Sequence, residues 1–428
     1  MADSYGKASS VTPAMRAAAR GGGALVAVQW SEALVRGLYV LLIARVLGPE
    51  QFGLWSYALA AYTFLVSLTL LGAELSIPAR IGRDGLAAKP VIDASFTLRV
   101  VMLLAACAIL PLYGLLAEGA GEVRLALFLL LPAVLGRGLA LWARPVFTGF
   151  ERAGLALRIG APIRFAELGI GAAILFADGT LAWLLLLHGA SWLVEAGLCL
   201  VVMRRTVVRP QLVFDMARLG RWLRESLPLG LAAGAAGFLT TGPLILLRYR
   251  TDGLVEVGQF GLALQVAMFG VMAVQGMLGA AMPAISRAHN RADERLPRRA
   301  LAVVGATGLG FVLIAALAAL LGPPVVALVF GDRFALAGEL LPALVLFAGA
   351  SVLPHVLWQM LVLRGRSWSG VAANLVGCAV LVAVLPTLVT QFGVVGAAYA
   401  GIAAWLLRAG WLAVALLSAG KADDQKPT

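Results

Sequence analysis

The stretch ARVLGPEQFGLWSYALA, residues 44–60, breaks an apolar run with a short polar turn and then returns at once to apolar residues. Gly48 and Pro49 stop one helix, Gly53 permits a tight re-entry into the next, and Phe52 is expected at the lipid–water interface. Its core, Gln51-Phe52-Gly53-Leu54, returns as Gln259-Phe260-Gly261-Leu262. Two further matches keep nearly the same spacing. Pro78-Ala79 with Arg83 answers to Pro283-Ala284 with Arg287, and Leu130-Leu131-Pro132-Ala133 to Leu340-Leu341-Pro342-Ala343. One such match is weak in a chain so rich in Leu and Ala; three in one order make a repeat. The chain therefore reads as two copies of one unit.

Composition says what the unit is made of. Of 428 residues 61% are hydrophobic and 13% charged, and the mean hydropathy is +0.92. A soluble domain is about half apolar and a quarter charged, so this is the profile of a polytopic membrane protein. Twelve apolar runs are long enough to cross, at 24–47, 53–78, 91–116, 124–148, 159–177, 181–203, 226–248, 258–285, 301–321, 338–363, 369–390 and 395–418. None alternates with the period of two that a membrane barrel requires, so the expected fold is all-α. Cys107, Cys199 and Cys378 all fall in apolar runs and are read as packed thiols. The first residues lack the short apolar core of a cleavable signal peptide.

Charge alternates along the connections. Arg80, Arg83, Lys89 and Arg99, then Arg152 and Arg158, then Arg204 to Arg224, then Arg287 to Arg299, then Arg364 and Arg366 load every second one. The others hold little, among them Glu118 with Glu122 and Arg124, and Asp332 with Arg333. By the positive-inside rule the basic loops and both termini are cytoplasmic, so the net charge of +12 reports topology. No basic stripe interleaved with aromatics points to nucleic acid. With six spans in each copy, both copies enter from one side and form parallel repeats about an axis along the membrane normal. The expected organisation is a cytoplasmic segment 1–23, a six-helix lobe 24–203, a basic connector 204–225, a second six-helix lobe 226–418 and a tail 419–428. Within the connector, MARLGRWLRESLP (216–228) reads either as an amphipathic helix on the inner surface or as a solvated linker.

The motif at 44–60, together with FTGFERAG (147–154), LVFGDRFALAGELLPAL (328–344) and FGVVGAAYAGIAAWL (392–406), resembles the polysaccharide transporter family. These are flippases for lipid-linked O-antigen or exopolysaccharide units, in the superfamily that also holds the multidrug and toxin extruders and the lipid II flippase. The resemblance implies two pseudosymmetric lobes that open alternately to each side of a bacterial inner membrane. It implies a polyprenyl-diphosphate-linked oligosaccharide as cargo, a proton or sodium ion as the coupling species, and a polysaccharide polymerase or export machinery as partner. No metal or cofactor is expected.

A diphosphate crossing hydrocarbon needs a wet cationic cavity, and arginine is its best partner because the guanidinium is a flat, permanently charged fork. Glu32 and Arg36, four apart in the first span, form either a diphosphate site with a releasing carboxylate or a structural ion pair. Arg137 and Arg408 fall mid-span and either line the cavity or satisfy backbone carbonyls. Arg248, at the outer end of the seventh span, either holds the head group in the outward state or anchors the helix. Arg164 and Glu167 suggest a local pair, and Arg144 a snorkelling residue. Glu74 and Glu195 are candidate coupling carboxylates; His188 and His355 read as core histidines, and Asn374, Gln265 and Gln275 as interhelix contacts. Pro228 and Pro243 are candidate hinges. Two rival functions share parts of this pattern. A multidrug cation exporter would want an acidic cavity, and a membrane glycosyltransferase or polymerase would want paired carboxylates or a large outer loop, which the short outer connections do not supply.

Overall fold

The computed structural model describes residues 13–290, 296–363 and 367–423. Among them every regular element is helical: α1 (Pro13–Leu68), α2 (Ala73–Asp84), α3 (Lys89–Ala117), α4 (Gly121–Leu129), α5 (Leu131–Gly149), α6 (Gly154–Phe176), α7 (Leu181–Thr206), α8 (Met216–Leu247), α9 (Val255–Asn290), α10 (Leu296–Phe330), α11 (Ala335–Leu363), α12 (Ser367–Phe392) and α13 (Val395–Asp423). Ten stretches among the described residues are long and apolar enough to cross a membrane. Their outward residues, such as Leu116, Phe176, Leu320 and Leu328, are apolar and exposed. That is costly in water and expected in lipid, where the backbone satisfies itself and greasy side chains face the solvent.

The first two expected spans both lie on α1, which folds back on itself. Gly48 has φ 80° and ψ 178°, a combination closed to any residue with a Cβ. Pro49 follows, with no N–H to leave unpaired and φ already set for a helix start. Tyr39 and Trp55 bracket this point, and their ring centroids are 5.7 Å apart. Along a straight helix that separation in sequence would be about 24 Å, so Gly48 is a hairpin between two antiparallel arms. The tight turn expected there is present. Its neighbours act otherwise than expected. Phe52 is fully buried and meets Phe334 of the other half edge-on at 5.9 Å, so it is no interface anchor. Gly53 lies inside the second arm, and the space its missing side chain leaves admits the Leu254 carbonyl and Gly258.

Further departures have local causes. The second arm ends at Leu68, earlier than expected, because Leu71 and Gly72 take positive φ before α2 begins. Arg99, read as a loop charge, is 2% exposed. It donates to the Gly138 carbonyl at 2.9 and 2.7 Å and to Thr69 Oγ1 at 2.5 Å, tying that break to α5. Leu130-Leu131-Pro132 interrupts the fourth span between α4 and α5, whereas its repeat partner Pro342 sits inside an unbroken α11. Residues 283–287 lie on α9, but their side chains are outside the described residues. The segment 207–215 is irregular, and 216–228 is helical as the start of α8 rather than as a separate surface helix.

Two contact lines join the half α1–α7 to the half α8–α13. Along the second arm of α1, Gly53 meets Leu254 and Gly258, and Ser56 meets Gly261 and, one turn further along α9, Gln265. Partners advance together in sequence, so this arm and α9 run parallel, as repeats about an axis normal to the membrane require. Beside them Gly72 meets Leu229, Leu71 meets Gly230 and Leu68 meets Gly234, an antiparallel line against α8. Small residues dominate both lines because close backbone approach replaces hydrophobic drive in lipid. The connections also sort to two ends. Gly48 lies near Arg333, and Glu118 near Tyr249; Arg80 pairs with Glu225, and Lys89 bonds Gln211, at the arginine-rich end.

Candidate functional site

Between the halves lies a cavity of about 220 Å³. The first arm of α1 lends it Arg36 and Tyr39, and the second Trp55, Ser56, Tyr62 and Thr63. From α5, α6 and α7 come Arg137, Arg164 with Glu167, and His188 with Trp192; the second half adds Thr241, Leu244, Gly261, Leu264 and Gln265. Among the described residues, three guanidiniums and one carboxylate line it.

Arg137 is placed by its neighbour Gly136, whose bare backbone packs against Trp192 and Leu193 and so brings α5 onto α7. Its Nη1 donates to Tyr62 Oη at 2.9 Å and to Thr63 Oγ1 at 2.8 Å. Its guanidinium stands 5.5 Å from the rings of both Tyr62 and Trp192. Among the described residues no carboxylate pairs with it, so its charge reaches the cavity unneutralised. Next to it runs a polar chain: His188 lies 2.7 Å from Tyr62 Oη through Nε2 and 2.7 Å from Glu167 Oε1 through Nδ1. Ser191 and Arg164 donate to Glu167 Oε2 at 2.8 and 2.5 Å. Arg164 also reaches Glu195 at 3.1 Å, which Arg144 meets from the far side at 2.8 Å. Four donors of wall residues have no partner among the described residues: Tyr39 Oη, Trp55 Nε1, Arg137 Nε and Arg164 Nε.

Several expected site residues fall here and several do not. Arg36 and Arg137 are on the wall. Glu32 lies on α1, but its side chain, and with it the pairing to Arg36, is outside the described residues. Arg408 is buried over Trp405 of its own helix, 5.0 Å from the ring, and does not line the cavity. Arg248 is at the Gly48 end, held 3.4 Å from Glu118. Glu74 is exposed at the start of α2. Glu195 is 1% exposed and lies behind the wall, its charge already answered by two arginines. The carboxylate that reaches the cavity is Glu167, expected only as a local partner of Arg164. Arg144 is ion-paired and does not snorkel, and His188, read as a core histidine, has several partners and faces the cavity. Asn374 donates to the Ala232 carbonyl at 2.7 Å, the interhelix contact expected of it. Pro228 and Pro243 sit in an unbroken α8, the former beside the Leu71–Gly230 contact, the latter against Gly401. Sequence reasoning passed over Tyr39, Trp55, Tyr62 and Trp192. Their signal was position: polar-tipped aromatics favour span ends, and these fall inside.

Residues 18–289 match the family described as polysaccharide biosynthesis protein. No curated protein matches the chain. Its fold is similar to an inward-facing multidrug resistance transporter of the MATE family in the MOP superfamily, with a TM-score of 0.72 at 18% identity, covering 92% of this chain and 99% of that one. The lipid II flippase MurJ in an inward closed conformation gives a TM-score of 0.72 at 11% identity, covering 92% and 87%. An outward-facing MATE transporter gives 0.68 at 17%, covering 94% and 96%. At these identities the likeness is one of fold.

Proposed function

The chain belongs to the polysaccharide biosynthesis protein family, and from that membership and the cavity's charge we infer that it is a flippase carrying a polyprenyl-diphosphate-linked oligosaccharide between leaflets. The observation that carries this is Arg137: a half-buried guanidinium on a cavity wall, oriented by two hydroxyls and left without a carboxylate among the described residues. A charge held inside a membrane costs about 2.5–3.5 kcal/mol on insertion scales, and a passing diphosphate is the partner that would repay it. Arg36 and Arg164 supply further positive charge. Tyr39 Oη and Trp55 Nε1 would bond the head group or first sugar, and the rings of Trp55 and Trp192 offer flat faces to a sugar ring. The polyprenyl tail would stay in the bilayer.

Under this reading the arginine-rich end is cytoplasmic, the protein sits in a bacterial inner membrane, and the lobes rock about α8, with Pro228 and Pro243 as hinges. Coupling to a proton or sodium ion would fall to Glu167 and His188, which face the cavity, rather than to Glu74 or Glu195.

The test is a strain lacking this protein. Lipid-linked oligosaccharide should accumulate in the cytoplasmic leaflet, and wild type and Arg408→Ala, which lies off the wall, should clear it. Arg137→Ala should not. Unchanged lipid-linked sugar together with accumulation of cationic dyes would replace the flippase reading with a drug exporter of the same fold.

A further inference from the structure

A cluster at the Gly48 end is spent on nothing the cavity needs. Glu118, in the short turn between α3 and α4, is 3% exposed. Tyr57 from the second arm of α1 donates to its Oε1 at 2.5 Å, and Tyr249, just past α8, donates to the same oxygen at 3.0 Å. Tyr113 lies 2.7 Å from Tyr57 Oη and 2.5 Å from Tyr249 Oη. Both of those hydroxyl protons are committed to the carboxylate, so Tyr113, with a single proton, donates to one of the two oxygens at a time. Glu118 Oε2 faces Arg248 Nη2 at 3.4 Å, and Arg124 donates to the Glu118 carbonyl at 2.7 Å, fixing the turn. Glu118, Tyr57 and Tyr113 belong to one half, Arg248 and Tyr249 to the other.

This network stands where the halves also interlock through Gly53 and Gly258 and through Phe52 against Phe334. Ser56, one turn further along the same arm, already lines the cavity. At the opposite end the ion pair that crosses between halves, Arg80–Glu225, is surface-exposed, and exposed pairs contribute little. Among the described residues, the crossing built on a buried carboxylate is at the Gly48 end.

We propose that Glu118, with Tyr57, Tyr113, Tyr249 and Arg248, is the lock of a gate that closes the cavity on the side away from the arginine-rich loops. The lock is a buried carboxylate whose partners come from both halves, so the halves part at this end only when its bonds across the boundary break. It rests on the reading of the chain as a transporter open alternately to two sides, but not on the identity of the cargo.

The test uses the full chain in right-side-out membrane vesicles, with Cys107 and Cys378 replaced by Ala, Cys199 retained and Ser56→Cys introduced. A membrane-impermeant maleimide then reports access from the Gly48 side. Tyr249→Phe, which removes a single hydroxyl, and Glu118→Gln should each speed labelling of Ser56→Cys about tenfold or more, the shift in an open–closed equilibrium expected from losing one hydrogen bond to a charged group. Labelling of buried Cys199 should stay unchanged. Unaltered Ser56→Cys labelling in both variants overturns the lock, as does a rise at Cys199 as large as at position 56, which would mean general loosening. The readout needs no cargo. A gate that responds in a protein that flips no lipid-linked sugar would sink the cargo assignment and leave the lock standing.

Discussion

Trp192 shows how this protein keeps charge in a membrane. Arg164 lies over its ring at 4.1 Å, and Arg137 and Arg144 stand at 5.5 and 5.8 Å. One indole ring thus shares in the stabilisation of three guanidiniums, two of which divide Glu195 between them. The arrangement makes Glu195 a structural anion. Replacing it by Gln would take from Arg164 one of its two carboxylates and from Arg144 the carboxylate at 2.8 Å, and breaking such a buried pair costs about 3–5 kcal/mol. The expected outcome for Glu195→Gln is a marked loss of stability in denaturation of the purified protein, whatever the pH of assay. If stability holds and only transport changes, Glu195 is a coupling residue after all. Arg36 and Arg137 were legible as cavity candidates from sequence because mid-span arginines demand a reason. Arg408 met the same criterion and failed it. Position along a helix says how deep a residue lies, whereas its rotation about the helix axis decides whether it faces the cavity or a tryptophan three residues away.

At the scale of elements, local chemistry and tertiary packing divide the work. Gly48-Pro49 folds α1 back by backbone geometry alone, and the turn was legible. The start of α8 is equally local: Asp215 caps it, accepting the Arg218 N–H at 3.1 Å. That N–H, followed by the Arg218 charge and other nearby donors, holds the Asp215 carboxyl below its ordinary value. A carboxylate whose folded pKa is depressed stabilises above its unfolded pKa of about 3.9, and the contribution is lost as pH falls through the lower folded value. Amide exchange at 216–219 should therefore quicken on that acid side, and Asp215→Ala should abolish the step. A step that survives in Asp215→Ala would assign it to another group. The break at 69–72 was not legible. It depends on Arg99 reaching Thr69 from α3 and Gly138 from α5, a junction of three elements far apart in the chain.

For the molecule as a whole, the interlock at Gly53 and Gly258 is the contact most sensitive to size. A side chain at Gly53 would collide with the Leu254 carbonyl and the Gly258 backbone, neither of which can rotate away. Gly53→Val should prop the halves apart at that end. Spin labels at exposed Glu122 and Asp252, one in each half, should report a longer distance than in the parent protein; an unchanged distance would mean that the arms repack without separating. What the sequence determined by itself was whatever single residues carry: helices rather than strands and connections sorted by charge to two ends, both from partition between water and lipid, and the hairpin at Gly48, from the backbone freedom of one glycine. Hydropathy and charge are properties of single residues, so one dimension carries them. The tertiary structure alone decided which charges meet. Arg144 found Glu195, Tyr249 found Glu118 and Gly258 found Gly53 across as much as half the chain. Those encounters depend on how helices rotate and cross. In lipid, where apolar surface distinguishes no face from another, the rotation is set by small-residue contacts and buried polar bonds that only the assembled bundle brings into range.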